Sequence, residues 1–117
     1  MIEDLVSRVF YSRNLAHAAH WRTSSFSQHS ALDEFYNGVI EALDSLVEKY
    51  QGRFDLIGNI PAPAVAQGDI LAHLVEDSLW IEANRDGIAQ SVQEIGNLID
   101  ELSGVYLEAI YKLRNLK

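Results

Sequence analysis

Cysteine is absent from the 117 residues. That excludes disulfides, thiolate metal sites and thiol catalysis, and it leaves histidine and carboxylates as the strong ligands for any metal. Proline occurs only twice and glycine seven times, so few positions interrupt a helix. Basic side chains are scarce, nine against seventeen acids, for a formal charge of −8. Such a chain repels phosphate backbones, and direct DNA binding is not expected of it. No stretch of about 18 apolar residues and no basic region followed by an apolar run occurs, the pattern of a cytoplasmic, soluble chain without a membrane partner. A Gly-rich phosphate loop, a placeable serine–histidine–acid set and aromatic–basic interleaving for nucleic acid are missing as well.

What is present is a 48% apolar composition recurring at three- and four-residue intervals, which predicts one all-α domain over residues 1–117. A first helix is expected from Ile2 to Trp21, carrying Leu5, Val6, Val9 and Ala16 on its apolar side. Arg22 to Ser27 is rich in hydroxyl residues and reads as a turn. A second helix is expected from Gln28 to Gln51, with Leu32, Phe35, Val39, Leu43 and Leu46 inward and Gly52 as its cap. Arg53 to Gln67 holds Pro61 and Pro63 and reads as a crossover, with a helical turn near Phe54 to Ile57. The third helix is expected from Gly68 to Asn84, closing at Asp86-Gly87, and the fourth from Ile88 along a seam of Val92, Ile95, Ile99, Leu102, Tyr106 and Ile110. Short outer connections and one long middle one describe a ferritin-like four-helix bundle, two helical hairpins joined by a crossover; a simple up-and-down bundle fits the pattern too.

The second helix carries an unusual polar stripe. His29, Asp33, Asp44 and Glu48 fall within about 100° of one another on a 3.6-residue wheel, beside the apolar face. His29/Asp33 and Asp44/Glu48 are i,i+4 pairs, so each is half of a metal site. Eleven positions separate Asp33 from Asp44, roughly 16 Å along the axis, too far to share one ion within a chain. Two copies of the helix laid antiparallel about a twofold near Asn37 bring opposite halves together and create two equivalent sites. His20, at the end of the first helix, is placed by the short turn to join His29. Two imidazoles with three carboxylates suit Fe(II), Mn(II) or Zn(II). A solvated helix face is the bland alternative for any single pair.

The string His20-Trp21, Phe26, His29, Asp33-Glu34, Tyr36, Asp44 and Glu48 resembles the Dps family of mini-ferritins, in which a His-Trp closes the first helix and a second histidine is followed at +4, +15 and +19 by acids. From His29 those offsets reach Asp33, Asp44 and Glu48. Tyr111-Lys-Leu-Arg114 is similar to the family's closing aromatic-x-Leu-Arg. The resemblance covers roughly residues 14 to 50; the turn after His20 is shorter than the family's and lacks its Gly-Pro. It implies a ferroxidase site between twofold-related subunits, with His20, His29 and Asp33 from one chain and Asp44 and Glu48 from the other. It further implies oxidation of Fe(II), usually by hydrogen peroxide, and storage of the ferric mineral inside a twelve-subunit shell. The basic tail with which several members hold DNA has no counterpart here. Two other readings compete: a ferritin-like structural or interaction protein without iron storage, and a dimeric di-metal oxidase or metal sensor.

Elsewhere, His17 reads as a partly exposed helix histidine or an extra ligand, and Trp21 as a wall beside the site. His73, four residues after Asp69, reads as a core-edge histidine. Asp77, Glu82, Asp100, Glu101 and Glu108 read as solvated acids, with Trp80 and Tyr106 in the core or an interface.

Overall fold

The computed structural model describes residues 1–63 and 69–117. Among them are four helices and no strand: α1 (Ile2–Arg22), α2 (Phe26–Arg53), α3 (Ile70–Ala89) and α4 (Gln93–Asn115). At 1.5 Å per residue, the 28 residues of α2 account for nearly the full 44 Å length of the molecule. The protein is thus one all-α bundle, a single helix length deep.

Local chemistry sets most helix ends. Glu3 and Asp4 sit in the first turn of α1 and His20 and Arg22 in its last, each sign matched to the helix dipole. The Ser25 hydroxyl accepts the Gln28 N–H to start α2 at 3.3 Å, and Asp69 accepts the Ala72 N–H to start α3 at 3.2 Å, both as N-caps.

Several expected ends moved, and α2 already begins at Phe26, so the expected turn from Arg22 to Ser27 shortens to three residues. α2 continues through Gly52, and the Phe54 N–H closes it on Tyr50 O at 2.8 Å; no helical turn follows at Phe54 to Ile57. α3 runs through Asp86-Gly87 because Ile88 and Ala89, 2% and 3% exposed, bury apolar area only if the helix continues. Its left-handed exit falls instead on Gln90 and Ser91 (φ 52° and 65°), residues that adopt this region at some cost. Ile88 therefore belongs to α3, and Val92 is the N-cap of α4. The expected start of α3 at Gly68 lies outside the described residues.

The connectivity follows from which residues meet. Arg8 and Ser12 of α1 reach Asp77 and His73 of α3; Glu34 of α2 pairs with Lys112 of α4, while Tyr50 meets Gln90 at the other end. Each pair ascends on one helix as it descends on the other, so α1/α2, α1/α3, α2/α4 and α3/α4 are antiparallel neighbours. α2 and α3 stand diagonally and run parallel. That arrangement needs a crossover along the bundle and excludes the up-and-down alternative, in which α2 and α3 would be neighbours.

The core is continuous across all four helices, with Leu5, Phe35, Leu74 and Tyr106 at 0–2% exposure. The Phe35 and Tyr106 rings meet edge to face at 5.0 Å, a favoured aromatic geometry. Leu79 of α3 is 61% exposed. Among the described residues no helix is long and apolar enough to cross a membrane.

Candidate functional site

The three-residue link Thr23-Ser24-Ser25 between α1 and α2 folds the end of one helix against the start of the next. Thr23 holds it shut, its hydroxyl accepting the Ser25 N–H and donating to Gln28 Oε1. This brings His20 and His29 face to face, ring centroids 3.6 Å apart and planes at 20°. The shortened turn therefore keeps His20 beside His29.

Each histidine donates to the other's backbone: His20 Nδ1 to His29 O at 2.7 Å and His29 Nδ1 to His20 O at 2.9 Å. A carbonyl oxygen only accepts, so both imidazoles carry their proton on Nδ1, and when neutral both Nε2 lone pairs are left for another partner. The His20 carbonyl lies in the last turn of α1, where helical partners run out, so His29 also caps that helix.

Asp33, one turn beyond His29, accepts at Oδ1 from the Tyr36 hydroxyl (2.8 Å) and from Asn37 Nδ2 (3.3 Å). Tyr36 is 8% exposed. Its ring stacks on His17 at 4.1 Å and 16°, with the Arg13 guanidinium 5.2 Å from the ring centre. The bond to Asp33 pushes the Tyr36 hydroxyl above its ordinary range and keeps it a donor. Loss of hydration, with Arg13 and His20 nearby, pushes His17 down and keeps it neutral. Trp21 leans on His17 at 4.3 Å yet is 71% exposed, and Phe26, at the start of α2, is 82% exposed; this end of the bundle carries two bare aromatic rings.

Asp44 and Glu48 are exposed on the outer side of α2, about three and four turns beyond Asp33. Among the described residues no three histidine, aspartate or glutamate side chains of one chain come close enough to hold a metal ion. His20, His29 and Asp33 share one end of the bundle; Asp44 and Glu48 do not join them.

One assignment changes. Asp77, expected at a solvated surface, is 2% exposed and closes a polar cluster in the cleft between α1 and α3. It accepts from Arg8 Nη1 (2.8 Å), from His73 Nε2 (3.0 Å) and from the Ser12 hydroxyl. Burial pushes its carboxyl up, but the bonds from His73, Ser12 and Arg8 and the nearby imidazole outweigh this and hold it below the ordinary range. His73 pairs forward with Asp77, while Asp69 is spent on the α3 cap. Asp100 stays at the surface as expected, held there by two parallel bonds from Arg85 (2.6 and 2.9 Å). The part played by Tyr36 was hidden because it counts as apolar in a periodicity pattern; its place three residues after Asp33 was the available signal.

Fold and site together define an all-α four-helix bundle with a histidine–carboxylate cluster exposed at one end. The chain belongs to the family described as "Family of unknown function (DUF5856)", whose profile matches residues 20–113, a span that begins at His20 and includes all five candidate residues. No curated protein and no solved structure matches it.

Proposed function

We propose that this protein binds Fe(II) as a substrate and oxidises it at a site completed by two antiparallel copies of α2, in the manner of the Dps mini-ferritins it resembles. The carrying observation is the reciprocal bonding of His20 and His29, which occupies both Nδ1 atoms and leaves both Nε2 lone pairs for a ligand, one helical turn from a carboxylate held by Tyr36. Second-shell bonds from Nδ1–H to carbonyl oxygen are what metal-binding imidazoles ordinarily have. Asp44 and Glu48 of a second copy would supply the remaining carboxylates, which favour Fe(III). Exposed Trp21 and Phe26 give the edge of the site apolar area to bury against that copy. Two Fe(II) ions each give one electron to a peroxide, which with two protons leaves as two waters. Mn(II) and Zn(II) are competing ions, a hollow shell of such dimers would hold the ferric product, and the cytoplasm is the proposed compartment.

The test is an anaerobic Fe(II) titration followed by peroxide, with particle mass from light scattering on the same sample. Oxidation should slow at least about tenfold in His29→Ala and in Asp44→Ala. Binding of fewer than about one iron per two chains would sink the proposal, since an isologous dimer has two sites. A mass no larger than a dimer would keep the oxidase and remove storage.

One observation favours a second reading, a bundle that docks other proteins and handles no metal: the His29 bond to the α1 carbonyl caps that helix whether or not an ion is present. On that reading His29→Ala lowers the unfolding midpoint and no ion binds stoichiometrically.

A further inference from the structure

The binding reading leaves three features of the α1–α2 end without a purpose: His17, the hydroxyl of Tyr36, and the two hydrogen bonds to a single oxygen of Asp33. They are connected. α1 presents His17 flat against the Tyr36 ring at 4.1 Å, with Arg13 on the same ring. That contact fixes the ring, and the ring carries its hydroxyl one helical turn back to Asp33 Oδ1. Asn37 Nδ2 reaches the same oxygen and, at 3.0 Å, the Asp33 carbonyl. A carboxylate offers two oxygens with about four acceptor sites. Here Oδ1 is occupied by two donors, and Oδ2 has none of these bonds.

We propose that Tyr36 is the positioning residue that sets metal specificity: by holding Oδ1 it makes Asp33 a one-oxygen ligand, which suits transition-metal ions bound through imidazole and disfavours calcium. The inference rests on the iron-binding reading and adds the discrimination that reading lacks. Calcium takes six to eight oxygens and commonly grips a carboxylate through both. Iron(II), cobalt(II) and zinc accept fewer ligands and prefer nitrogen among them. An exposed, acidic chain with paired carboxylates on one stripe would otherwise collect calcium. Tyr36 works through Asp33 and need not touch the ion.

Co(II) reports the site directly, since its visible absorption follows the number and kind of ligands. The full chain is titrated with Co(II), then with Ca(II) as competitor, alongside Tyr36→Phe, Asn37→Ala and His29→Ala. The unsubstituted protein should bind Co(II) and resist calcium, and His29→Ala should abolish the spectrum. Tyr36→Phe should weaken Co(II) by about tenfold, the scale of second-shell losses, change the absorption band and allow calcium to displace cobalt, with the helical circular dichroism unchanged. Asn37→Ala, at an exposed position, should shift both readouts in the same direction by a smaller factor than Tyr36→Phe, and it carries the test if Tyr36→Phe fails to fold. Retained Co(II) affinity and calcium resistance in the folded variants overturn the inference alone. Failure of the unsubstituted protein to bind Co(II) overturns it together with the iron-binding reading.

Discussion

The spacing His-x-x-x-Asp occurs twice, as His29/Asp33 on α2 and His73/Asp77 on α3, and the two copies behave in opposite ways. In the α3 copy the pair closes on itself at 3.0 Å, its side chains 9% and 3% exposed, with Ser12 and Arg8 completing the shell of Asp77. In the α2 copy, histidine and acid turn to different partners, a backbone carbonyl and a tyrosine, and the imidazole stays at the surface. An i,i+4 spacing permits convergence without requiring it. Burial removes water as a competitor and makes the charged pair seek every available donor; exposure leaves each group free to be held by one partner and offered to another. Both copies have a tyrosine nearby, and these differ too: the Tyr36 hydroxyl is used, whereas Tyr106 Oη, buried beside Ser12, makes no hydrogen bond of good geometry among the described residues.

The sharpest way to break this contrast is to delete the two aspartates. Asp77→Ala leaves Arg8, His73 and Ser12 facing a void, and it should cost about 3 kcal/mol or more in urea unfolding. Asp33→Ala should cost less than about 1 kcal/mol while removing Fe(II) binding. Equal losses of stability would mean the two copies play the same structural part.

Acid should separate them next. The Asp77 carboxyl titrates below its ordinary 3.8 in the folded protein, so its stabilising contribution is present above that pH and disappears as pH falls through the lower folded value. The stability gap between the unsubstituted protein and Asp77→Asn should stay constant from neutral pH down to about 5 and narrow only below about 4. A gap that narrows instead near pH 6 would assign the linkage to the imidazole.

The tyrosines give the smallest effect. Tyr106→Phe removes a buried hydroxyl that has at best a poorly aligned contact with Ser12, and stability should change by less than about 1 kcal/mol or rise, measured by the same unfolding curves. Tyr36→Phe should leave unfolding nearly unaltered and appear in metal selectivity. A clear destabilisation by Tyr106→Phe would reveal a partner for its hydroxyl and bring the two tyrosines closer in role.

Helix number, order and inward faces were legible because burial imposes its period on the chain: Leu32, Phe35, Val39, Leu43 and Leu46 are all buried. Ends were less legible, since Gly52 and Gly87 look like stops and are overruled by the bonds and burial just beyond them. The neighbourhood of His20 and His29 was legible in the short hydroxyl-rich turn. Asp77 was not, because two of its three donors lie 65 and 69 positions away, and an i,i+4 histidine by itself does not tell a buried acid from a solvated one.

By itself the sequence determined the all-helical class, the absence of sulfur chemistry, the polar stripe of His29, Asp33, Asp44 and Glu48, and the distance that keeps its halves apart, because residue type and helical period are local properties. Only the tertiary structure decided that α2 and α3 run parallel across a diagonal, that His20 and His29 share one proton arrangement, and that one His-x-x-x-Asp turns inward while its twin faces out. Those depend on which side chains from distant segments arrive as donors and on how much water they displace.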